Sequence, residues 1–550
     1  MMLRLVMWEA LLQYCPNMQP GSQSSGSGEA VLTAGIDIGT TAVKGVIVDE
    51  QGRVVERCAV PNRLQVQPGG RLEHDAAMNW WEVPRQVLAR LASRLPLGAI
   101  SAVAVAAFMP SVAAVGPTGR PLGPGLIYGD DRGRRASDDA DGENQRKPTS
   151  SKGLGTGSRG PRPTSHGDPT STDEMARLAS WVASRAPGAA GYWPAQAVAN
   201  ASLGGEGAVD LASAFAAGTL FTGSGWDAAA CREAGLKVEQ LPRVAVFGEP
   251  IGKVALPGLA LKSPDLGRLV GAPDGGAEGA ALLDEVVASG GVGAGLGGCA
   301  RGEAVLGAGS VDGLCEQLVA GAVDDGDVLV SLGSTLVVWL TVPGWPEEVP
   351  GLWRVPHVFA GKAMLGGASN AGGLWVDWVT KLLRDAPASR DELVASEVPV
   401  WWPWVRGERV PWHDPDLRVS FSGGRLSQGP GALRRGAFES TGFVVRYILE
   451  LASACGVQPA RVLVSGGGAR NPAWLQALAD VLGLAVIPAA ASEGAARGAA
   501  FLARMALGLE TSTDSAARWA SWSAPVVPRS EWVTAAGQRY ERWLAGLPRR

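Results

Sequence analysis

The stretch AGIDIGTTAVKGVIVDEQGRVVERCAV, Ala34 to Val60, decides the reading of this chain. An apolar run ends at Asp37, turns through Gly39-Thr40-Thr41 and resumes as a second apolar run carrying Lys44. Alternation with period two on both sides of a glycine turn predicts a β-hairpin. Its tip gathers a carboxylate, two hydroxyls, backbone amides and an ammonium. Those groups suit a metal-bound polyphosphate: Asp37 for hydrated Mg²⁺, the amides with Thr40 and Thr41 for phosphate oxygens, Lys44 as a point charge. One hairpin is half of a phosphoryl-transfer site.

The other half begins at VLGAGSVDGLCEQLVAGAVDDGDVLVSLGSTLVVWL, Val305 to Leu340. Asp312, flanked by glycines, opens an amphipathic helix. An Asp-Gly-Asp turn then leads into a strand that ends in Gly333-Ser334-Thr335. This second strand–glycine–hydroxyl–strand unit echoes the first, and an internal echo predicts two similar lobes facing each other across a cleft. Taken alone, Asp312 reads more readily as a plain helix N-cap. A third glycine turn, Ser465-Gly466-Gly467-Gly468, precedes a helix that starts after Asn471-Pro472. Glycines let a ring or phosphate approach the backbone, and a helix N-terminus favours anions. A plain strand-to-helix turn has the same sequence. No G-x-x-x-x-G-K-[ST] occurs, so phosphate handling must use a scaffold other than the P-loop.

Composition bounds the rest. With 550 residues, 46% of them hydrophobic, the chain can build more than one core. A net charge of −4 with scattered Arg and Lys gives no electrostatic case for nucleic acid. Six cysteines without a C-x-x-C pair and only four histidines argue against a zinc site and for a reduced, cytoplasmic setting. No apolar run reaches the roughly 18 residues of a membrane span. Residues 1–30 read as a disordered extension or a misplaced start. A first lobe spans 31–322 and a second 323–510, with a helical tail over 511–550. Within the first lobe, Ala99 to Met109 is a buried strand and Trp80 to Leu95 an amphipathic helix. Two soft segments interrupt it: a polar Gly/Ser/Pro-rich insertion at about 133–172, expected to be disordered, and a Gly/Ala-rich one at about 262–302. The latter holds GAGLGG, a formal dinucleotide pattern with no strand before it, read as a chance match. Tryptophans 375, 378, 401, 402 and 404 read as core.

In order, GIDIGTTAVK, GRLEHDAAMNWW, LIYGDDRG, GSVDGLCEQLVAGAVDDGDVLVSLGST, GGASNAGGLWVDWV, GERVPWHDPDLRVSFSG and SGGGARNPAWLQALADVLG resemble the FGGY carbohydrate kinases of the actin-like ATPase superfamily. The resemblance covers about Leu32 to Gly508 and is nearest the xylulokinase-like branch. It implies an α/β fold of two actin-like, ribonuclease H-like domains, with ATP·Mg²⁺ and a sugar in the cleft between them. Asp312 matches the catalytic base and also contacts the acceptor hydroxyl; Asp37 matches the residue holding Mg²⁺ through water. Thr40, Thr41, Lys44, Ser334 and Thr335 match the two phosphate hairpins. Gly373 and Asp377 fall where the family lines the nucleotide cleft, although Asp377 also fits a solvated helix position. Gly467 and Asn471 fall where it holds adenosine. On the sugar side Glu73, His74, Met109 and Asp130 correspond to substrate contacts, with a surface loop the other reading of His74. Pro110 stands where the xylulokinase branch has a histidine, and Gly313 where glycerol kinases carry an amide. A pentulose is therefore the leading acceptor, with another ketose or polyol as the alternative. A homodimer stays open. So do two other classes: a catalytically inactive sugar-sensing or scaffold relative, and a chaperone-type ATPase.

Overall fold

The computed structural model describes residues 31–68, 70–133, 171–257, 301–359, 361–383, 393–490 and 493–548. The expectations for residues 1–30, for nearly all of 133–172 and 262–302, and for GAGLGG lie outside these.

The opening hairpin forms as its alternation predicts. Strand Leu32–Ile38 pairs antiparallel with Ala42–Val48, setting Asp37 opposite Lys44. The second strand turns back into Val54–Pro61, and the first lies parallel to Ile100–Ala107, which is buried along nearly all its length. Arg301–Gly307 and Pro250–Pro257 complete the sheet, and the short strand Ser310–Val311 runs beside the end of Ile100–Ala107. The second lobe repeats this plan. Asp327–Leu332 pairs antiparallel with Leu336–Pro343, which pairs with Lys362–Ser369, while Arg461–Ser465 runs parallel to the first strand and Val486–Pro488 follows. Setting aside the edge strands Pro250–Pro257 of the first sheet and Trp353–Pro356 of the second, both sheets read 3-2-1-4-5 counted from the opening strand. The sequence echo is thus a duplicated α/β lobe, and parallel neighbours covered by helices explain the near-continuous apolar runs.

Helix Gly494–Ala506, placed by sequence in the second lobe, packs on the first. Ala496, Ala499, Ala500 and Ala503 share one buried cluster with Val46, Ala102, Ala104 and Ala106 of the first sheet. A Cβ on Gly35 would stand 1.8 Å from Ala496 O, and one on Gly498 would stand 1.8 Å from Cys315 O. Only glycine admits these backbone approaches. The span after residue 510 is likewise no appendage. Trp519 packs in the first lobe against Phe501. Helix Ser530–Ala545 buries Tyr540 and Trp543 in the second-lobe core, with Arg539 paired to Glu439 at 2.6 Å.

Trp375, Trp401, Trp402 and Trp404 are core, as read. Trp378 is not: it is 40% exposed and stacks on Trp375. Its position three residues after Trp375 carries it past the edge of the buried face. No described helix is long and apolar enough to cross a membrane.

Gly498→Ala should lower the urea midpoint by an amount corresponding to about 1–3 kcal/mol, the usual cost of forcing atoms into a closed contact. Gly537→Ala, where a Cβ meets nothing within 4 Å, should leave it unchanged or slightly raised. Equal midpoints for the two variants would remove the close helix contact from this account.

Candidate active site

The site starts with how the first turn is held. Gly39 N donates to Ala42 O at 3.0 Å and closes it. Three successive carbonyls then go to protein donors. Gly39 O accepts from Asn62 Nδ2 at 2.8 Å, Thr40 O from His74 Nε2 at 2.9 Å, and Thr41 O from the Asn62 amide at 2.8 Å. Among the described residues no protein acceptor takes the Thr40 or Thr41 amide, which leaves both for an anion. The Thr40 hydroxyl bonds Tyr128 Oη at 2.6 Å.

The second turn uses the same device with different parts. Gly333 O accepts from Gly373 N at 2.8 Å and Ser334 O from Leu374 N at 3.0 Å. Helix Gly373–Leu382 can come this close because Gly372 and Gly373 lack side chains: a Cβ would stand 2.2 Å from Thr335 C and 2.7 Å from Gly333 O respectively. Gly373, read as lining the nucleotide cleft, spends its amide on seating this turn. Asp377 lies exposed further along the helix. Ser334 and Thr335 remain half-buried at the tip.

Asp312 stands between the hairpins as the first residue of helix Asp312–Ala320. The N-cap is Val311, so the simple capping reading of Asp312 fails; its Oδ1 accepts instead from Gly313 N at 2.7 Å. The preceding loop is fastened from behind. Gln196 and Asn200 donate to Ala308 O, and Ser310 Oγ donates to the buried Asp210 at 2.7 Å. Burial pushes the Asp312 carboxyl up to about 7, with Asp37 and then Glu316 adding repulsion against the Gly313 amide and Arg409. Burial likewise lifts Asp37 to about 6, opposed by Lys44 and reinforced by Glu316. Asp37 repels the ionised Asp312, and Lys44 and Arg409 offset the acidic group only in part. Asp37 would suit a hard divalent ion, which would supply positive charge to the acidic group and to a bound polyphosphate. Glu316, one helical turn beyond Asp312, was not legible as part of this acidic group.

The third glycine turn is open where a nucleoside would need it. A Cβ on Gly467 would meet nothing within 4 Å, whereas Gly466 (φ +81°) and Gly468 are pressed against Leu332. Asn471 caps helix Pro472–Leu482 by accepting from the Ala473 and Trp474 amides, so only its amide nitrogen is left for adenosine.

Three sugar-side expectations change. His74 is neither on a surface loop nor open to substrate: it is fully buried, and Trp80 Nε1 donates to its Nδ1 at 3.1 Å. That bond fixes the neutral tautomer whose Nε2–H holds Thr40 O, and burial depresses the ring to about 4. Asp130 is also fully buried, accepting from the Leu72 amide and from Arg132 Nε and Nη2. Glu73 accepts from Arg132 Nη1 at 2.8 Å and from Gln67. Both carboxylates thus anchor Arg132, and a sugar hydroxyl would compete with a guanidinium for them. Met109 is half-buried just beyond strand Ile100–Ala107, next to Phe108. Phe108 meets His74 and Tyr128 edge-on at 5.5 and 5.7 Å. Tyr128 therefore links the first phosphate turn to the sugar segment. Arg409, from the second lobe, lies 5.2 Å over its ring.

The raised carboxyls make a signed prediction. Each binds its proton more tightly folded than unfolded, so its stabilising contribution is complete below about pH 4 and is lost as pH rises through about 6 to 7. Ligand-free Asp312→Asn should therefore melt higher than the parent at about pH 8, by a few degrees, and the gap should close by about pH 5. A parent protein that melts higher at both pH values would contradict the repulsion.

Comparison with known proteins bears on the family and the fold. Residues 32–156 match the N-terminal domain, and residues 328–507 the C-terminal domain, of the FGGY family of carbohydrate kinases. A xylulose kinase of Escherichia coli (strain K12) is 32% identical over 223 residues, covering 37% of this chain and 44% of that protein. The match therefore spans less than half of that relative's length. A gluconokinase of Bacillus subtilis (strain 168) is 25% identical over 517 residues, 88% of each chain. The ligand-bound xylulose kinase structure from Lactobacillus acidophilus superposes with a TM-score of 0.67 at 18% identity, covering 94% of this chain and 97% of that one. At that identity it establishes the shared fold. The duplicated lobes, the paired hairpins and both domain matches place this chain in the FGGY family of carbohydrate kinases.

Proposed function

We propose that the protein is an ATP-dependent sugar kinase that transfers the γ-phosphoryl group of ATP·Mg²⁺ to a terminal hydroxyl of an open-chain sugar. The observation that carries the reading is Asp312: a carboxyl raised to about 7, at a helix start, facing Asp37. A base of that strength is half ionised near neutrality and suited to accept the acceptor hydroxyl's proton. The turns around Thr40 and Ser334 would grip the triphosphate from both lobes, with Lys44 opposite Asp37. Asp37 would hold the metal, which supplies charge neutralisation across the phosphates. Gly467 and Asn471 would receive the adenosine. Phosphoryl transfer asks little covalent work of a protein; placement and electrostatics supply most of the acceleration.

The acceptor reading starts from a ketopentose such as xylulose. Met109, Tyr128 and the Asp130–Arg132 segment support a small polyhydroxylated acceptor, and xylulose kinases recur among the relatives. His74, Asp130 and Glu73 enter as positioning residues behind that surface. The reaction belongs in the cytoplasm, where ATP and reduced thiols fit the four free cysteines among the described residues.

ADP release measured with and without a panel of ketoses and polyols tests the activity. Asp312→Asn should lower kcat by about 10²–10⁴ while ATP affinity changes little. Near-normal turnover would take Asp312 out of the mechanism. Asp37→Ala should weaken Mg²⁺·ATP use, and raising the sugar concentration should not restore it; recovery by sugar alone would assign Asp37 to the other substrate.

A further inference from the structure

The second lobe delivers two guanidinium groups to the acceptor segment, and their donors are not all spent. Arg406 Nη2 donates to Asn370 Oδ1 at 3.0 Å. Asn370 is itself held by Gly407 O and Glu408, so this end of the guanidinium is fixed. Among the described residues, Arg406 Nε and Nη1 are buried with no protein partner. Nη1 lies against Gly129: a Cβ there would stand 3.6 Å from it. Beside it, Arg409 covers the Tyr128 ring, donates to Ser369 O through Nη2, and leaves Nε buried without a partner.

The carboxylates nearby are committed elsewhere. Glu408 accepts from Ser369 Oγ and from the Asn370 and Arg409 amides. Glu174 accepts from Gly129 N at 2.6 Å and pairs with Arg177. Burial, opposed by Tyr128 and reinforced by Arg409, leaves Arg406 below its usual range. A buried donor without a partner costs about 1–3 kcal/mol, and an unpaired buried charge costs more. An anion from outside would relieve two adjacent guanidiniums kept this way.

Location selects which anion. The polyphosphate belongs to the hairpins around Thr40 and Ser334, whereas Arg406 abuts Gly129, in the acceptor segment. Resting on the kinase reading above but replacing its neutral ketopentose, we propose that Arg406, with Arg409 beside it, forms a carboxylate-binding subsite, and that the acceptor is a sugar acid of the aldonate class. A single negative charge matches the few left-over donors and adds the least repulsion toward Glu174 and Asp312. Guanidinium is also the side chain whose donor geometry suits a carboxylate. The transfer is otherwise unchanged. The γ-phosphorus bonds to the terminal hydroxyl oxygen, the bond to the β–γ bridging oxygen breaks, the hydroxyl proton goes to Asp312 and ADP leaves. The carboxylate takes no part beyond orienting the chain.

The test compares xylonate and gluconate with xylulose, xylitol and glucitol in the ADP-release assay, adding xylulose 5-phosphate as a dianionic control. For at least one aldonate, kcat/KM should exceed that of the neutral compound of equal length by about tenfold or more. Arg406→Met, which keeps an unbranched stem and removes the guanidinium, should cut that preference by about thirtyfold, chiefly through acceptor KM, with KM for ATP unmoved. Arg406→Lys should recover part of it. Because a variant can misfold, the parent protein supplies a second readout: aldonate should raise its melting temperature where the matched polyol does not. Preference for a neutral sugar or for the sugar phosphate, or equal losses on acid and neutral acceptors in Arg406→Met, would overturn the subsite. If no acceptor stimulates ADP release, the kinase reading fails, and the melting shift still decides whether the carboxylate is bound.

Discussion

The contact on which the site depends is the approach of helix Gly494–Ala506 to the first lobe. It touches strand Leu32–Ile38 at Gly35 and helix Asp312–Ala320 at Gly498, both at backbone distance. One rigid element thus backs the strand that ends near Asp37 and the helix that begins with Asp312. These two carboxylates come from segments 275 residues apart, and their mutual repulsion persists only because the elements beneath them cannot drift apart. The same helix follows directly from the second sheet, so it also fixes how the lobes meet. Interiors packed at this density transmit position with little slack.

Two turns of similar sequence solve one electrostatic problem in two ways. A phosphate-binding turn must keep its carbonyls away from the anion. The Thr40 turn does so with side chains, Asn62 and His74, from neighbouring strands or their ends. The Ser334 turn does so with the first amides of a helix, admitted by Gly372 and Gly373. Duplication preserved the sheet order and not the fastening. On the sugar side a comparable economy holds: Arg132 occupies Glu73 and Asp130, His74 is locked by Trp80, and Tyr128 joins that scaffold to the phosphate turn. Among the described residues, Arg406 and Arg409, which arrive from the other lobe, keep buried donors without a partner.

Much of the frame was legible in sequence because it is written in local periodicity. Both hairpins, the buried strand Ile100–Ala107, the helix beginning at Asp312 and the turn before Asn471 all follow from alternation, glycine punctuation and an Asn-Pro helix start. Those signals span a few residues, and the physics that produces them acts over the same span.

Partnership is another matter. Sequence shows that His74, Asp130 and Glu73 are polar and near one another, and it cannot show whether a ligand or Arg132 and Trp80 will take their hydrogen bonds. Sequence likewise marks Gly494–Ala506 as a small-residue helix without saying which sheet it will cover, and Trp378 as helical without saying where the buried face ends. Hairpins, lobes and the positions of the two candidate carboxylates were determined by the chain's own local pattern. Which donors are satisfied, which carboxyls are raised, and which guanidiniums stay unpaired at the acceptor end were decided only when distant segments packed, because desolvation and hydrogen-bond pairing depend on every neighbour in space.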